Sequence, residues 1–439
     1  MSVTVVGLGK IGLPLAVQFA RSGMTVVGAD TNPAVVELIN SGREPFPGEA
    51  HLADYLAECV AAGTMSATTD TAAAVSRSQV VVVVVPLFVD ADARPDFGWM
   101  DSATEAIGRG LRSENQTLVA YETTLPVGTT RTRWKPMLEQ VSGLAESVDF
   151  DLVFSPERVL TGRVFADLRR YPKLVGGLGD RGAHRAVSFY EQALQFDERA
   201  DLARANGVWD LGSAEAAEMA KLAETTYRDV NIGLANQFAR FAAANGIDIH
   251  KVIEASNSQP YSHLHQPGMS VGGHCIPVYP RLYLWNDPEA TVVRAARAAN
   301  AGMPAYTVGL AARAVGGDLS GKRVVVLGAA YRGGAKETAF SGVFAAVDEL
   351  VARGAVVLVH DPLYTDEELA RHGWAPYHFG EPVDVAIVHT DHTEYAALTA
   401  ADFPRLAVLV DGRARIDPAR FPGVRVVTVG KPDQLATEG

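Results

Sequence analysis

The sequence predicts an α/β protein made of two doubly wound domains joined by a long central helix. Three observations carry that expectation. Short β-branched runs alternate with Ala-rich amphipathic stretches through the first part of the chain, a long segment free of Pro and tight-turn dipeptides follows, and the β–α alternation then returns. A chain of 439 residues is long enough for two or three domains. The boundaries read as 1–205, 206–305 and 306–439.

In the first part, residues 3–6, 25–27, 80–85, 117–120 and 152–154 read as strands. Continuous Val runs suit strands buried on both faces, hence a parallel sheet covered by helices. From 213 to about 245, Met219, Leu222, Ala223, Val230, Leu234 and Phe238 recur at helical spacing, which predicts one long helix. Strands are expected again at 323–327, 356–359, 385–388, 407–410 and 425–429. They end in small or acidic residues such as Gly328, His360-Asp361 and Asp411-Gly412, which marks a second doubly wound domain.

Composition narrows the function. With 48% hydrophobic and 21% charged residues the chain is globular. Thirty-nine Lys plus Arg against 51 Asp plus Glu give a net charge of −12, and no basic block could track a phosphate backbone, so no nucleic-acid partner is expected. The most apolar run, 80–89, is interrupted by Pro86 and falls far short of the roughly 18 residues that span a bilayer. The N-terminus leads directly into a Gly-rich motif and not a basic-then-apolar signal, so a cytoplasmic protein without a membrane partner is expected. Two cysteines, Cys59 and Cys275, are too few for a disulfide framework and leave a thiol free for chemistry; no metal site is expected.

The first strand runs into Gly7-Leu8-Gly9-Lys10-Ile11-Gly12, then a helical pattern, then a second strand ending at Asp30. Glycines permit a tight turn and close approach of a pyrophosphate to the helix N-terminus, and a carboxylate about 20 residues on binds a ribose diol. A purely structural Gly turn is the bland alternative; strand, glycines, helix, strand and acid in order favour a Rossmann-like domain. Asp30 repels a 2′-phosphate, so NAD is expected over NADP.

Lys221, Thr225 and Arg228 fall on one stripe of the central helix. That is either an anion site or an ordinary solvated face. Most cations of the chain are Arg, which singles Lys221 out. Val271-Gly272-Gly273-His274-Cys275-Ile276-Pro277 sets a thiol behind two glycines. Small residues let a ligand approach the sulfur, and a thiolate suits attack on an aldehyde carbon, although a lone Cys is more often a small buried hydrophobe. His274 reads as a loop or core histidine or as a base, with no Asp or Asn partner visible in the sequence.

These motifs resemble those of the UDP-glucose/GDP-mannose dehydrogenases over essentially the whole chain. The likeness covers Gly7 through Pro14, Glu122-Thr123-Thr124-Leu125-Pro126-Val127-Gly128-Thr129-Thr130 and Phe154-Ser155-Pro156-Glu157-Arg158-Val159-Leu160. It continues in Lys221-Leu222-Ala223-Glu224, in Tyr227-Arg228-Asp229-Val230-Asn231-Ile232 and in Gly272 through Pro277. The forms look most like the branch that oxidises UDP-N-acetylhexosamines, UDP-N-acetylmannosamine in particular. The resemblance implies a four-electron oxidation of the sugar C6 alcohol to a carboxylate with two NAD in succession. Cys275 carries the thiohemiacetal and thioester, Lys221 stabilises an oxyanion with Thr225 at the neighbouring position, Thr124 holds a water, and Glu157 is the acid/base. It implies cofactor contacts at Gly7, Gly9, Lys10, Ile11, Gly12, Asp30, Pro86 and Thr124. Substrate contacts are implied at Glu157, Arg158, Val159, Lys221, Arg228, Asn231, Gly272, Gly273, His274, Tyr331 and Arg332. A homodimer built on the central helix is implied as well.

The chain also departs from the family pattern. Thr225 stands where Asn is common, Tyr279 where Asp is common, and Thr161 where the UDP-glucose branch has a second carboxylate that the acetylhexosamine branch also lacks. Ala339 replaces a nucleotide-contacting Arg, with Arg332 nearby in sequence. Loss of one oxyanion donor costs roughly 10²–10³ in rate where nothing replaces it. A Thr hydroxyl can stand in for an amide; Tyr279 is no carboxylate. Two alternatives follow: a dehydrogenase that stops at the aldehyde or takes an unusual nucleotide sugar, and a non-catalytic NAD or nucleotide-sugar binding protein. Retention of Lys221, Glu157, Thr124 and Cys275 argues against the second.

Overall fold

The computed structural model describes residues 1–90, 92 and 94–432, and the chain divides into two compact units, 1–224 and 225 onward. In the first unit the strands are β1 (Ser2–Val6), β2 (Thr25–Ala29), β3 (Met65–Thr68), β4 (Val80–Val83), the small hairpin β5 (Phe88–Val89) and β6 (Pro95–Asp96), β7 (Leu118–Tyr121), β8 (Asp151–Phe154), β9 (Lys173–Gly177) and β10 (Val208–Asp210). All but the hairpin form one sheet in the order β10-β9-β8-β7-β4-β1-β2-β3. Reading inward from β3, the first six strands follow the 3-2-1-4-5-6 order of a dinucleotide-binding sheet, with its crevice where β1 and β4 part. Val80 to Val83 are buried on both faces, as the uninterrupted Val run requires. One difference stands out: β9 pairs antiparallel with β8, Val153 opposite Gly177. β3, β9 and β10 mix Ser, Thr, Lys and Asp with few Val residues, which hides them in the sequence.

The second unit carries β11 (Arg323–Leu327), β12 (Val356–His360), β13 (Ala375–Pro376), β14 (Val385–Val388), β15 (Val408–Asp411) and β16 (Arg425–Thr428). All are parallel in the order β13-β12-β11-β14-β15-β16. The order 3-2-1-4-5-6 therefore occurs twice in one chain. The five expected strands are present to within a residue at each end; only the two-residue edge strand β13 is additional.

The long helix spans Ala214–Ala244. Its apolar period does not mark its buried side. Leu222 is buried, yet Met219, Leu234 and Phe238 are exposed, together with Tyr227 and Phe241. The buried positions are small or polar: Ala214, Ala217, Glu218, Lys221, Thr225, Asp229, Ala235, Asn236, Ala239 and Ala242. Small residues let neighbouring backbone approach, and a Cβ on Gly233 meets the Ala296 carbonyl at 3.0 Å.

Glu218 anchors this helix to the segment that follows β7. Its carboxylate accepts the Gly128 amide at 2.5 Å, the Thr130 amide at 3.0 Å and the Thr130 hydroxyl at 2.7 Å. Burial outweighs these donors and pushes its pKa up from 4.5 to about 7. The unfolded chain therefore ionises this group first, so its stabilising contribution is complete below about 4.5 and is lost as pH rises through 7. Glu218→Ala strands two amides and a hydroxyl, at about 3 kcal/mol. Scanning calorimetry is expected to show the melting temperature roughly 5–10 °C lower at pH 5.5, with a smaller deficit at pH 8.

Candidate active site

The Gly-rich turn is built from backbone constraints. Gly7 holds φ at +92°, and its amide donates to the Ala29 carbonyl at 2.8 Å. A Cβ on Gly12 overlaps the Gly7 carbonyl oxygen, so only glycine closes this turn. The helix that follows, Gly12–Arg21, has no side-chain cap and no acid in its first turn, so its N-terminal amides keep their positive field for an anion. Asp30 lies at the end of β2, where its Oδ2 accepts the Leu8 amide at 2.9 Å and its Oδ1 the Asn32 amide at 2.9 Å. Gly9, Lys10 and Pro86 are exposed and Ile11 is half-buried along the same edge. The Thr123 hydroxyl ties this edge together by donating to the Val85 carbonyl at 2.6 Å, and Thr124 beside it is buried.

The sheet ends β7, β8 and β9 bring a second group together. Lys173 Nζ donates to Glu122 Oε2 and to Glu157 Oε2, both at 2.9 Å. Tyr190 OH donates to Glu122 Oε1 at 2.5 Å, and the Arg158 amide to Glu157 Oε1 at 2.7 Å. Glu224 on the long helix bridges two expected substrate residues, accepting Lys221 Nζ at 3.1 Å and Arg158 Nε at 3.0 Å. Lys221 and Thr225 are buried, which excludes a solvated face for them, whereas Arg228 is exposed. Val159 is half-buried on the same loop.

In the second unit, the Cys275 loop packs on the turn after β11. Cys275 and Gly272 are half-buried and His274 is exposed. The Gly273 amide donates to the Ala339 carbonyl at 2.8 Å, and a Cβ on Gly272 stands 2.5 Å from the Tyr331 Cβ. A Cβ on Gly273 comes within 3.0 Å of the Tyr331 ring. The two glycines therefore make room for Tyr331, a reason the sequence did not disclose. His274 has the carboxylate partner that the sequence left unseen, Glu337 at 3.5 Å. Arg332 is exposed, with Nε donating to the Tyr331 hydroxyl at 3.1 Å. Asn231 is engaged by main chain: its Nδ2 donates to the His263 carbonyl at 2.7 Å and its Oδ1 accepts the His265 amide at 2.9 Å.

Comparison with known proteins decides the family. Models of the UDP-glucose/GDP-mannose dehydrogenase family match residues 1–194 (NAD binding domain), 215–302 (central domain) and 325–418 (UDP binding domain). The chain belongs to that family. Among its relatives, the UDP-N-acetyl-D-mannosamine dehydrogenase of Pyrococcus horikoshii is 33% identical over 94% of this chain and 95% of its own. That of Methanocaldococcus jannaschii is 29% identical over 94% and 91%. The solved Pyrococcus horikoshii UDP-D-ManNAc dehydrogenase superposes with a TM-score of 0.87 at 31% identity, covering 99% of this chain and all of that one. A UDP-glucose dehydrogenase from Pyrobaculum islandicum gives 0.85 at 26% identity, with 98% of each chain covered.

This UDP-glucose/GDP-mannose dehydrogenase family member is an NAD-dependent nucleotide-sugar dehydrogenase. Its residues fit the cofactor: the Gly12 turn leaves no room for a Cβ, the helix behind it is uncapped, and Asp30 closes the second strand. Residues that the structure sets beside the candidate site and to which the sequence analysis gave no role are Lys173 and Tyr190, with Glu122 and Glu224, which it named only as motif members. Lysine is the rarer cation in this chain, and the scarcity that singled out Lys221 applies equally to Lys173. Among the described residues no helix is long and apolar enough to cross a membrane, and no cluster of His, Cys, Asp and Glu could hold a metal ion.

Asp30→Ala is expected to raise the KM for NAD about tenfold while leaving sugar binding unchanged, since the ribose loses its acceptor. Because the Leu8 amide loses its partner too, the melting temperature also falls; Asp30→Asn, which keeps one acceptor oxygen, recovers part of that loss. Unchanged NAD kinetics in Asp30→Ala would contradict the assignment.

Proposed function

We propose that this dehydrogenase oxidises the C6 alcohol of a UDP-N-acetylhexosamine, UDP-N-acetylmannosamine foremost, to the uronic acid, consuming two NAD per sugar. The observation that carries the reading is the retained chemical set, a half-buried Cys275 in a loop pinned by Tyr331 together with the buried Lys221 and the half-buried Glu157. The names of the relatives support the substrate class.

NAD supplies the hydride acceptor. Lys221, its ammonium held by Glu224, stabilises the alkoxide and later the tetrahedral oxyanion, with the Thr225 hydroxyl as second donor. The Cys275 sulfur adds to the aldehyde carbon as the carbonyl π bond opens and its oxygen takes up the thiol proton, giving a thiohemiacetal; loss of that hydroxyl proton and of the C6 hydride in the second oxidation leaves a thioester. Thr124 holds a water whose proton passes to Glu157 as its oxygen bonds to the thioester carbon; the C–S bond then breaks and Cys275 leaves as thiolate. Arg158, Val159, Arg228, Asn231, Gly272, Gly273, His274, Tyr331 and Arg332 complete the substrate contacts in this reading. Segments 1–205, 206–305 and 306–439 serve as cofactor, catalytic and nucleotide-sugar parts. The exposed Met219, Leu234, Phe238 and Phe241 support a homodimer built on the long helix.

A panel of UDP-, GDP- and dTDP-sugars with NAD, read by NADH absorbance and product mass, tests this. UDP-N-acetylmannosamine as best substrate with two NADH per sugar is the expected result. One NADH per sugar and an aldehyde product would instead assign the enzyme that stops halfway, which the Thr225 and Tyr279 departures favour.

A further inference from the structure

We infer that Lys173, clamped between Glu122 and Glu157, is a positioning residue that keeps the water-activating carboxylate ionised, and that Glu122 holds the balancing proton in the same clamp. The inference rests on the reading of Glu157 as the acid/base. Its basis is charge counting in a closed space. One ammonium touches two carboxylates at 2.9 Å each, and the side chains are 3% exposed for Lys173, 0% for Glu122 and 11% for Glu157. Two buried anions against one cation leave a surplus charge that a low-dielectric site disfavours, so one carboxyl keeps a proton. The enclosed Glu122 is the one that does, because Glu157 retains an edge to solvent and an amide donor from Arg158.

The surrounding groups are accounted for in turn. From the helix Asp180–Ala193, the Tyr190 hydroxyl lies 2.5 Å from Glu122 Oε1, where it donates to an ionised Glu122 and accepts the proton of a neutral one, and its ring stands 4.8 Å from Lys173 Nζ. From the long helix, Glu224 faces Arg158 and Lys221 and is occupied by both. From the helix Val164–Arg170, Asp167 is paired with Arg163. A small hollow beside the clamp is lined by Glu157, Arg158, Tyr171, Pro172 and Lys173. Burial, with Glu157 adding to it against Lys173, pushes Glu122 up to about 7. Burial opposes ionisation of Glu157 as well, but the Lys173 ammonium and the Arg158 amide outweigh it and hold Glu157 below its ordinary value. Burial likewise opposes the charge on Lys173, and the two carboxylates outweigh it.

The test is the pH profile of acid release in the full-length enzyme, read as product mass and second-NADH yield, for the parent, Lys173→Met, Lys173→Arg, Glu122→Gln and Glu157→Gln. Without the ammonium, Glu157 takes up its proton at higher pH, so the acidic limb of Lys173→Met is expected to move up by about one to three pH units. Its rate at pH 7 falls roughly 10–100-fold on the same account, with the KM for NAD unchanged. Lys173→Arg restores the limb. Glu122→Gln keeps the shape without the titration and removes the inflection near pH 7. Should Lys173→Met not accumulate as folded protein, Glu122→Gln decides alone. A Lys173→Met limb identical to the parent's, or an inflection retained in Glu122→Gln, overturns the inference. If Glu157→Gln itself releases acid at the parent rate, the acid/base reading fails first, and this inference with it; loss in Glu157→Gln beside an unshifted Lys173→Met limb fails the inference alone.

Discussion

Cys275→Ser is expected to abolish sustained acid formation, lowering steady-state turnover by about 10³-fold or more, while the first oxidation of the sugar persists. A serine hydroxyl titrates far above a thiol and is a poor nucleophile without a base of its own, so the proposed covalent carrier of the acyl group is lost. Single-turnover NADH absorbance is expected to show about one equivalent per sugar, and intact-protein mass to show no stable acyl adduct. The second cysteine is the control. Cys59 sits in the helix Leu52–Ala61 within the core of the first unit, and burial pushes its thiol up. Cys59→Ala changes packing and leaves turnover intact. Parent-level turnover in Cys275→Ser would return that thiol to a packing role.

Gly12→Ala is the second large effect. The added Cβ overlaps the Gly7 carbonyl oxygen, and Gly7 cannot retreat because Val84 and Val85 backbone atoms stand 3.1 Å from its own Cβ direction. The turn must open, which misdirects the first amides of the helix Gly12–Arg21 away from the pyrophosphate. NAD affinity by calorimetry is expected to fall at least about 100-fold, roughly the worth of two charge-assisted hydrogen bonds. Nucleotide-sugar binding, assigned to other residues, is expected to survive. Retained NAD affinity in a folded Gly12→Ala protein would remove this turn from the cofactor site.

Local signals made much of this protein readable. Val80 to Val83 must be a buried strand whatever surrounds them, and Gly7 to Gly12 followed by Asp30 specify a turn, a helix and a strand end within thirty residues. The clamp around Lys173 was not readable in the same way. Its members lie at 122, 157, 173 and 190, and they meet only because β9 reverses direction beside β8 and presents Lys173 at the ends of β7 and β8. The long helix misled for another reason. Hydrophobic spacing finds an apolar stripe, but here the stripe with Met219, Leu234 and Phe238 is exposed, and the buried side is made of Ala, Gly, Thr and paired charge. Likewise, the glycines before Cys275 announced a need for space without saying that Tyr331 fills it.

Asp30 fastens the Leu8 amide and, in the proposed cofactor site, also reads the coenzyme, which constrains how the enzyme could change coenzyme. A laboratory lineage selected for a phosphorylated coenzyme must discard the carboxylate, and in the same step it loosens Leu8, the residue whose amide that carboxylate holds at 2.9 Å. The first substitution on such a path therefore carries a folding cost before it brings any new activity. Lineages that begin with a spare stabilising change elsewhere in the first unit are the ones that can cross, and a library built on the unmodified chain is expected to stall at position 30.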